Sequence, residues 1–213
     1  MSQLQSFSIM QGQLANTTNA PGLTEVAITP VFSVAAVVIL FSVPLLTMRL
    51  IAEERRNQTM IFLISAPISM TQIILGKFFA TVIFLEIIFV IACLMCFSVL
   101  PGGTLDFGLV FSCLLGISLL GGTFSAIGLF VSCLTNHPVV AAILSLAIAL
   151  GLWIINLTAP DPESVLNLIS IFSHWEPFLE GTIAVKNITY FILIISVFII
   201  LSIRRLDADR LHA

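Results

Sequence analysis

Long apolar runs separated by short polar stretches dominate the chain. Residues 1–27 are polar and nearly uncharged, with Glu25 the single ionisable side chain. Five apolar blocks follow, at about Ile28–Met48, Ile73–Leu100, Phe107–Leu134, Pro138–Leu157 and Ile188–Ile203. A hydrocarbon core of ~30 Å takes about 20 helical residues to cross. Inside it every backbone N–H and C=O must be paired within the segment, so runs of this length are helices. Barrel strands would be about half as long and would alternate apolar and polar positions. The pattern predicts an all-α polytopic membrane protein with five transmembrane helices. It divides into an extracytoplasmic tail or loop at 1–27, a transmembrane domain at 28–205 and a cytoplasmic C-terminal tail at 206–213.

Composition agrees. Apolar types make up 59 % of the 213 residues and charged types 9 %. A soluble domain carries about 25 % charged residues, so this chain has too few to cover a water-facing surface. No basic stretch precedes an apolar core at the N-terminus, which excludes a signal peptide there. Cys93, Cys96, Cys113 and Cys133 all fall inside apolar blocks, where they read as small packing residues. No spacing resembles a zinc site, and no metal is expected.

The position of the charges sets the orientation. Arg49, Arg55, Arg56 and Lys77 lie between the first block and the entry to the second; Arg204, Arg205 and Arg210 follow the fifth. Lys186 is the only other basic residue. Five spans put both basic regions on one side, which is the cytoplasm by the lysine and arginine bias of inner loops. The opposite side holds Glu25, Asp106, Asp161, Glu163, Glu176 and Glu180.

Two segments are not spans. Between the first and second blocks, the charged cluster Glu53-Glu54-Arg55-Arg56 leads into a short apolar run, Thr59–Ser65, and then Ala66-Pro67. Pro67 cannot continue a helix from the residues before it, and Ser69 or Thr71 can cap the next one. The apolar run is too short to cross a bilayer and is expected to lie along the inner surface. It is either a plain interfacial anchor or a docking element for a cytoplasmic partner. On the outer side, Pro160 and Pro162 break the fourth helix, and a short apolar helix runs from Val165 to Phe172. Ser173-His174-Trp175-Glu176-Pro177 is expected to end it, with Trp175 at the headgroup level. His174 and Glu176 read as polar residues of this outer hairpin, not as a catalytic pair.

Within the spans, Gly121, Ser125, Gly128 and Ser132 form a small-residue stripe on the third helix. Such stripes let backbones approach closely, either within one chain or across a dimer interface. Glu86 is the one ionisable side chain deep in a span and should face protein or water. It reads as a hydrogen-bonded packing residue, or as a polar contact in a transport path.

Catalytic motifs are missing from the sequence. There is no G-x-x-x-x-G-K-[ST] loop, no H-E-x-x-H and no G-x-S-x-G. Gly76-Lys77 is followed by Phe78, so it is not a phosphate loop. No catalytic residue, no bound cofactor and no nucleic-acid surface are predicted.

The stretch Glu53–Phe78 resembles the cytoplasmic loop of type-two ABC exporter permeases, through Glu53, Glu54, Arg55, Arg56, Thr59, Pro67, Ser69, Leu75, Gly76 and Lys77. Later pieces resemble the gliding-motility branch: Pro101-Gly102-Gly103, Ala126-Ile127-Gly128-Leu129-Phe130, Ser132-Cys133-Leu134-Thr135, Ala141–Ser145 and Ser173-His174-Trp175. The resemblance covers about residues 28–207. It implies a permease of the bacterial cytoplasmic (inner) membrane, multi-pass, with its C-terminus in the cytoplasm. It implies a partner ABC ATPase that carries ATP and Mg, and a second permease chain, identical or not, in the lipid. Glu53, Glu54, Arg55, Arg56, Gln58, Thr59 and Met60 are then the expected ATPase-docking residues. Two positions depart from the family pattern: Gln58 stands where Gly is usual, and Ile61 where Glu is usual. Relatives also have six helices, so the first is expected to be missing from this sequence. The alternative reading is a non-transporting membrane scaffold with the same fold. A proton-coupled carrier using Glu86 predicts internal repeats, which the sequence lacks.

Overall fold

The computed structural model describes residues 23–60, 68–99, 107–158 and 168–212. Ile61, Pro67, Pro101-Gly102-Gly103, Pro160 and Pro162 lie outside the described residues, as do the side chains of Glu25 and Cys96. Among the described residues the secondary structure is helical. The elements are α1 (Leu23–Thr47), α2 (Ala52–Arg56), α3 (Met70–Val99), α4 (Phe107–Leu134), α5 (Pro138–Thr158), α6 (Ile171–Leu179) and α7 (Val185–His212).

The five long helices are the five apolar blocks, and each is long and apolar enough to cross a membrane. The protein is a multi-pass, all-α membrane protein. In α4, 72 % of the most apolar stretch is buried, against 17–39 % in the other four, so α4 is the central post. The others pack around it: α1, α3, α5, α6 and α7 all contact α4. The reason lies in side-chain size. Lipid tails are as apolar as leucine, so helices associate through close packing and interhelical hydrogen bonds. The sequence of α4 supplies Ser112, Gly116, Gly121, Gly122, Ser125, Gly128 and Ser132, all buried. The surrounding helices also turn many large side chains outward, among them Phe79, Ile83 and Ile87 on α3, Val139 and Ile143 on α5 and Leu193 on α7.

Helix ends are set by local chemistry. α3 starts with a capping box: Gln72 N donates to Ser69 Oγ (3.3 Å), and Ser69 N donates to Gln72 Oε1 (3.2 Å). This satisfies two of the N–H groups that a helix start leaves unpaired. α7 does not stop at its last apolar residue. It runs through the basic Arg204-Arg205 pair to His212, and Leu206 in that extension is fully buried. The residues expected to form a tail are therefore helical as far as 212.

The outer segment differs from expectation. Residues 165–167 of the expected helix lie outside the described residues; residues 168–169 are helical, and a second helix runs from Ile171 to Leu179, so Ser173–Pro177 form its body and not an end. Ser170, extended, stands at its N-terminus. Pro177 forgoes one helical N–H, but Trp175, Phe178 and Leu179 around it are buried. That burial offsets the proline cost, ~3 kcal/mol in a helix interior. Trp175 is 2 % exposed, so it is a core residue and not a headgroup anchor. Its indole packs on Trp153 (5.6 Å between centroids) and Phe172 (6.0 Å).

Candidate functional site

Both basic regions meet at one end of the bundle. There α1 ends at Thr47, the chain turns through Met48–Ile51, and α2 begins at Ala52. α2 has only five residues, too few to be stable alone. It is held from outside. Ser132 Oγ on α4 accepts from Ile51 N (3.1 Å) and Ala52 N (2.9 Å) and contacts Met48 O (3.2 Å). One hydroxyl from another helix thus caps α2. Below it, Ile51 joins a buried cluster with Met70, Ile74, Phe78, Leu129, Cys133 and Leu206.

The charges of α2 are divided between its two sides. On the inner side, Lys77 Nζ of α3 donates to Glu54 Oε1 (2.7 Å) and to Leu50 O (2.6 Å). Arg55 pairs with Asp209 Oδ2 of α7, and Arg205 lies 3.7 Å from the other oxygen of the same carboxylate. On the outer side, Arg56, Asn57, Gln58 and Thr59 are exposed, and Glu53 is half-buried. Met60 is half-buried against the apolar cluster.

α2 ends in a tight cap. Gln58 N donates to Arg55 O (3.2 Å), and Thr59 N donates to Glu54 O (3.0 Å). This pair of bonds is the Schellman arrangement, in which the first of the two donor residues takes the left-handed conformation. Gln58 supplies it, with φ of 58°. A glycine, which the resemblance leads one to expect at this position, would enter that conformation freely, whereas a side chain costs energy in it.

The small-residue stripe packs against other helices of the same chain. A Cβ at Gly128 would stand 2.8 Å from Thr47 Cβ on α1, and one at Gly121 would meet Leu85 and Phe89 of α3 at 3.4 Å. Ser132 caps α2, and Ser125 is buried, its Oγ without a hydrogen-bond partner among the described residues. Glu86, on α3, is half-buried and lies 2.9 Å from Ser118 Oγ of α4. It is not near the basic end.

The opposite end is closed by α6. Phe178 O accepts from Ser112 Oγ (2.9 Å), and Gly116 lets the Phe178 side chain in, since a Cβ there would be 2.6 Å from Phe178 Cβ. His174 is buried and stacks on Tyr190 of α7 at 3.9 Å and 9°. Its Nδ1 lies 3.0 Å from Ser170 O, and Tyr190 Oη donates to Ile169 O. Burial holds the imidazole below its ordinary value, with Lys186 adding to the effect and the Ser170 carbonyl opposing it. Glu176 is exposed on the other side of α6. The structure thus joins His174 and Trp175 to the core and leaves Glu176 apart.

The expected docking residues therefore separate into two groups. Glu54 and Arg55 are bound to the bundle, while Arg56, Gln58 and Thr59 face outward. Sequence reasoning missed Asp209. A signal was present: Arg205 and Asp209 are four apart, which extends a helix into the tail. The sequence matches the family described as ABC-2 family transporter protein over residues 2–211, at the level of the family at large. No curated protein matches it.

Proposed function

The chain belongs to the ABC-2 transporter family, and from that premise we propose that it is the permease subunit of an ATP-driven exporter, coupled to a separate ATPase through α2. Membership gives it the role of a membrane component in transport. The docking assignment is supported above all by one observation: Arg56 on α2, with Gln58 and Thr59 just after it, is exposed, while the inner side of α2 is bonded to three long helices, α3, α4 and α7. A push on the outer side is transmitted through Ser132 to α4 and through Glu54 and Lys77 to α3. Packed elements of this kind move as units because their interiors are not continuously deformable. ATP, bound by the partner, shifts the balance between two states only by its different affinity for them. The basic end faces the cytoplasm of a bacterial inner membrane in this reading, since seven of the eight basic residues lie there. A second permease chain, identical or not, completes the path.

The test is co-purification of the tagged chain, expressed with its genomic neighbours, in mild detergent. Arg56→Glu alters the exposed face and leaves the inner ion pairs in place. Retention of a P-loop ATPase by the native chain and its loss from Arg56→Glu are expected. An ATPase held equally by both would remove α2 as the docking element. Its absence from both would favour the scaffold reading.

A further inference from the structure

The end of α7 has no need to be helical for the sake of the membrane. Its apolar stretch is over by Ile203, yet the helix continues for nine residues to His212. Two contacts account for the extension. Leu206 is fully buried in the cluster that carries Ile51, directly before α2. One turn further, Asp209 takes Arg55 on one carboxylate oxygen and Arg205 on the other. The side chains of Arg55 and Asp209 are only 14 % and 26 % exposed, so water screens the pair weakly. Arg55 spans 154 residues of sequence to reach this partner.

We infer that Asp209 is a positioning residue that locks α2 to the end of α7, so that the last spanning helix moves with the docking helix. This rests on the reading of α2 as the docking element. Arg55 is then unavailable to the ATPase, because its guanidinium is engaged within the chain. α7 receives the stroke directly and not by way of α4. The two inner pairs, Glu54 with Lys77 and Arg55 with Asp209, tie α2 to α3 and to α7.

Amide hydrogen exchange of the full chain in lipid nanodiscs tests the lock without any partner. Asp209→Asn is expected to speed exchange across residues 53–60 about tenfold, the effect of losing one charge-assisted bond. Residues 107–134 should keep their protection, which shows that the bundle is folded. The reversed pair, Arg55→Asp with Asp209→Arg, made together with Arg205→Ala so that no like charge faces position 209, should recover most of the loss. Unchanged exchange at 53–60 in Asp209→Asn, or no recovery in the reversed pair, overturns the inference. Co-purification with the neighbouring ATPase separates the two readings. If exchange rises in Asp209→Asn while Arg56→Glu still retains the ATPase, the lock stands and the docking reading falls.

Discussion

Gln58 and Gly181 occupy the same position in two copies of one motif. Gly181, with φ of 79°, closes α6: Gly181 N donates to Phe178 O (3.3 Å) and Thr182 N to Pro177 O (3.0 Å). Gln58 closes α2 with the same two bonds, to Arg55 O and Glu54 O. A glycine enters the left-handed region freely, whereas other residues pay about 1–2 kcal/mol there. Gln58→Gly is therefore expected to stabilise the end of α2 by about 1 kcal/mol, set against the entropy glycine adds to the unfolded chain. Slower amide exchange at Thr59 is the readout, and faster exchange would refute the strain argument. Gly181→Ala has room for its methyl group, with Leu109 no nearer than 3.7 Å, so any loss measures the backbone conformation alone.

Ser132→Ala removes the acceptor of two buried N–H groups, Ile51 N and Ala52 N. Each buried donor left without a partner costs about 1–3 kcal/mol. The start of α2 should fray, with faster exchange at Ala52 and Glu53 and a lower melting temperature in detergent. A variant as stable and as protected as the native chain would show that Ser132 is not the cap.

Gly128→Ala should destabilise the crossing of α1 and α4. The new methyl group would press on Thr47, and overpacking of this kind costs about 1–3 kcal/mol. Thr47→Ala trims the nearest atoms but leaves the Cβ in place, so the double variant should recover part of the loss. Thermal unfolding of the four chains closes the cycle, and purely additive effects would place the strain elsewhere.

The spans were legible because lipid leaves so few solutions. The block Phe107–Leu134 matches α4 at both ends, since hydrophobicity there coincides with the helix. Hydrophobicity fails where the helix continues without lipid. α7 overran Ile203 because Leu206 and the Arg205–Asp209 spacing sustain it, and a hydropathy boundary does not register either. The body of α6 was hidden by Pro177, read as a stop, although buried neighbours carry it. Trp175 shows a related ambiguity: an indole suits a headgroup layer and a protein core equally, and only the positions of Trp153 and Phe172 decide between them. At the candidate site, the charged cluster and the resemblance singled out Glu54 and Arg55, but their inward contacts depend on Lys77 and on the carboxylate of Asp209. The glycine-to-glutamine departure at 58 was visible in sequence; its meaning required φ.

His174 is expected to make the end of the bundle that α6 closes sensitive to acid. The imidazole is held below its ordinary value of 6.5, chiefly by burial, so the folded state keeps it neutral where the unfolded chain already takes a proton. The sign follows from linkage: between the folded and unfolded values the unfolded state binds more protons, and stability rises with pH. The contribution is complete above the ordinary value and is lost as pH falls below it, by up to ~1.4 kcal/mol per pH unit for one proton. A protonated ring would also turn Nδ1 into an obligatory donor to Ser170 O and place a charge on the Tyr190 face and near Lys186. The stack and the carbonyl contact partly accommodate that charge, and the cation on Lys186 opposes it. Melting in detergent at pH 7.5 and 5.5 should therefore show a drop for the native chain and a smaller one for His174→Phe, which keeps a ring against Tyr190. Equal drops in the two chains would assign the acid sensitivity to other groups and leave His174 a packing residue.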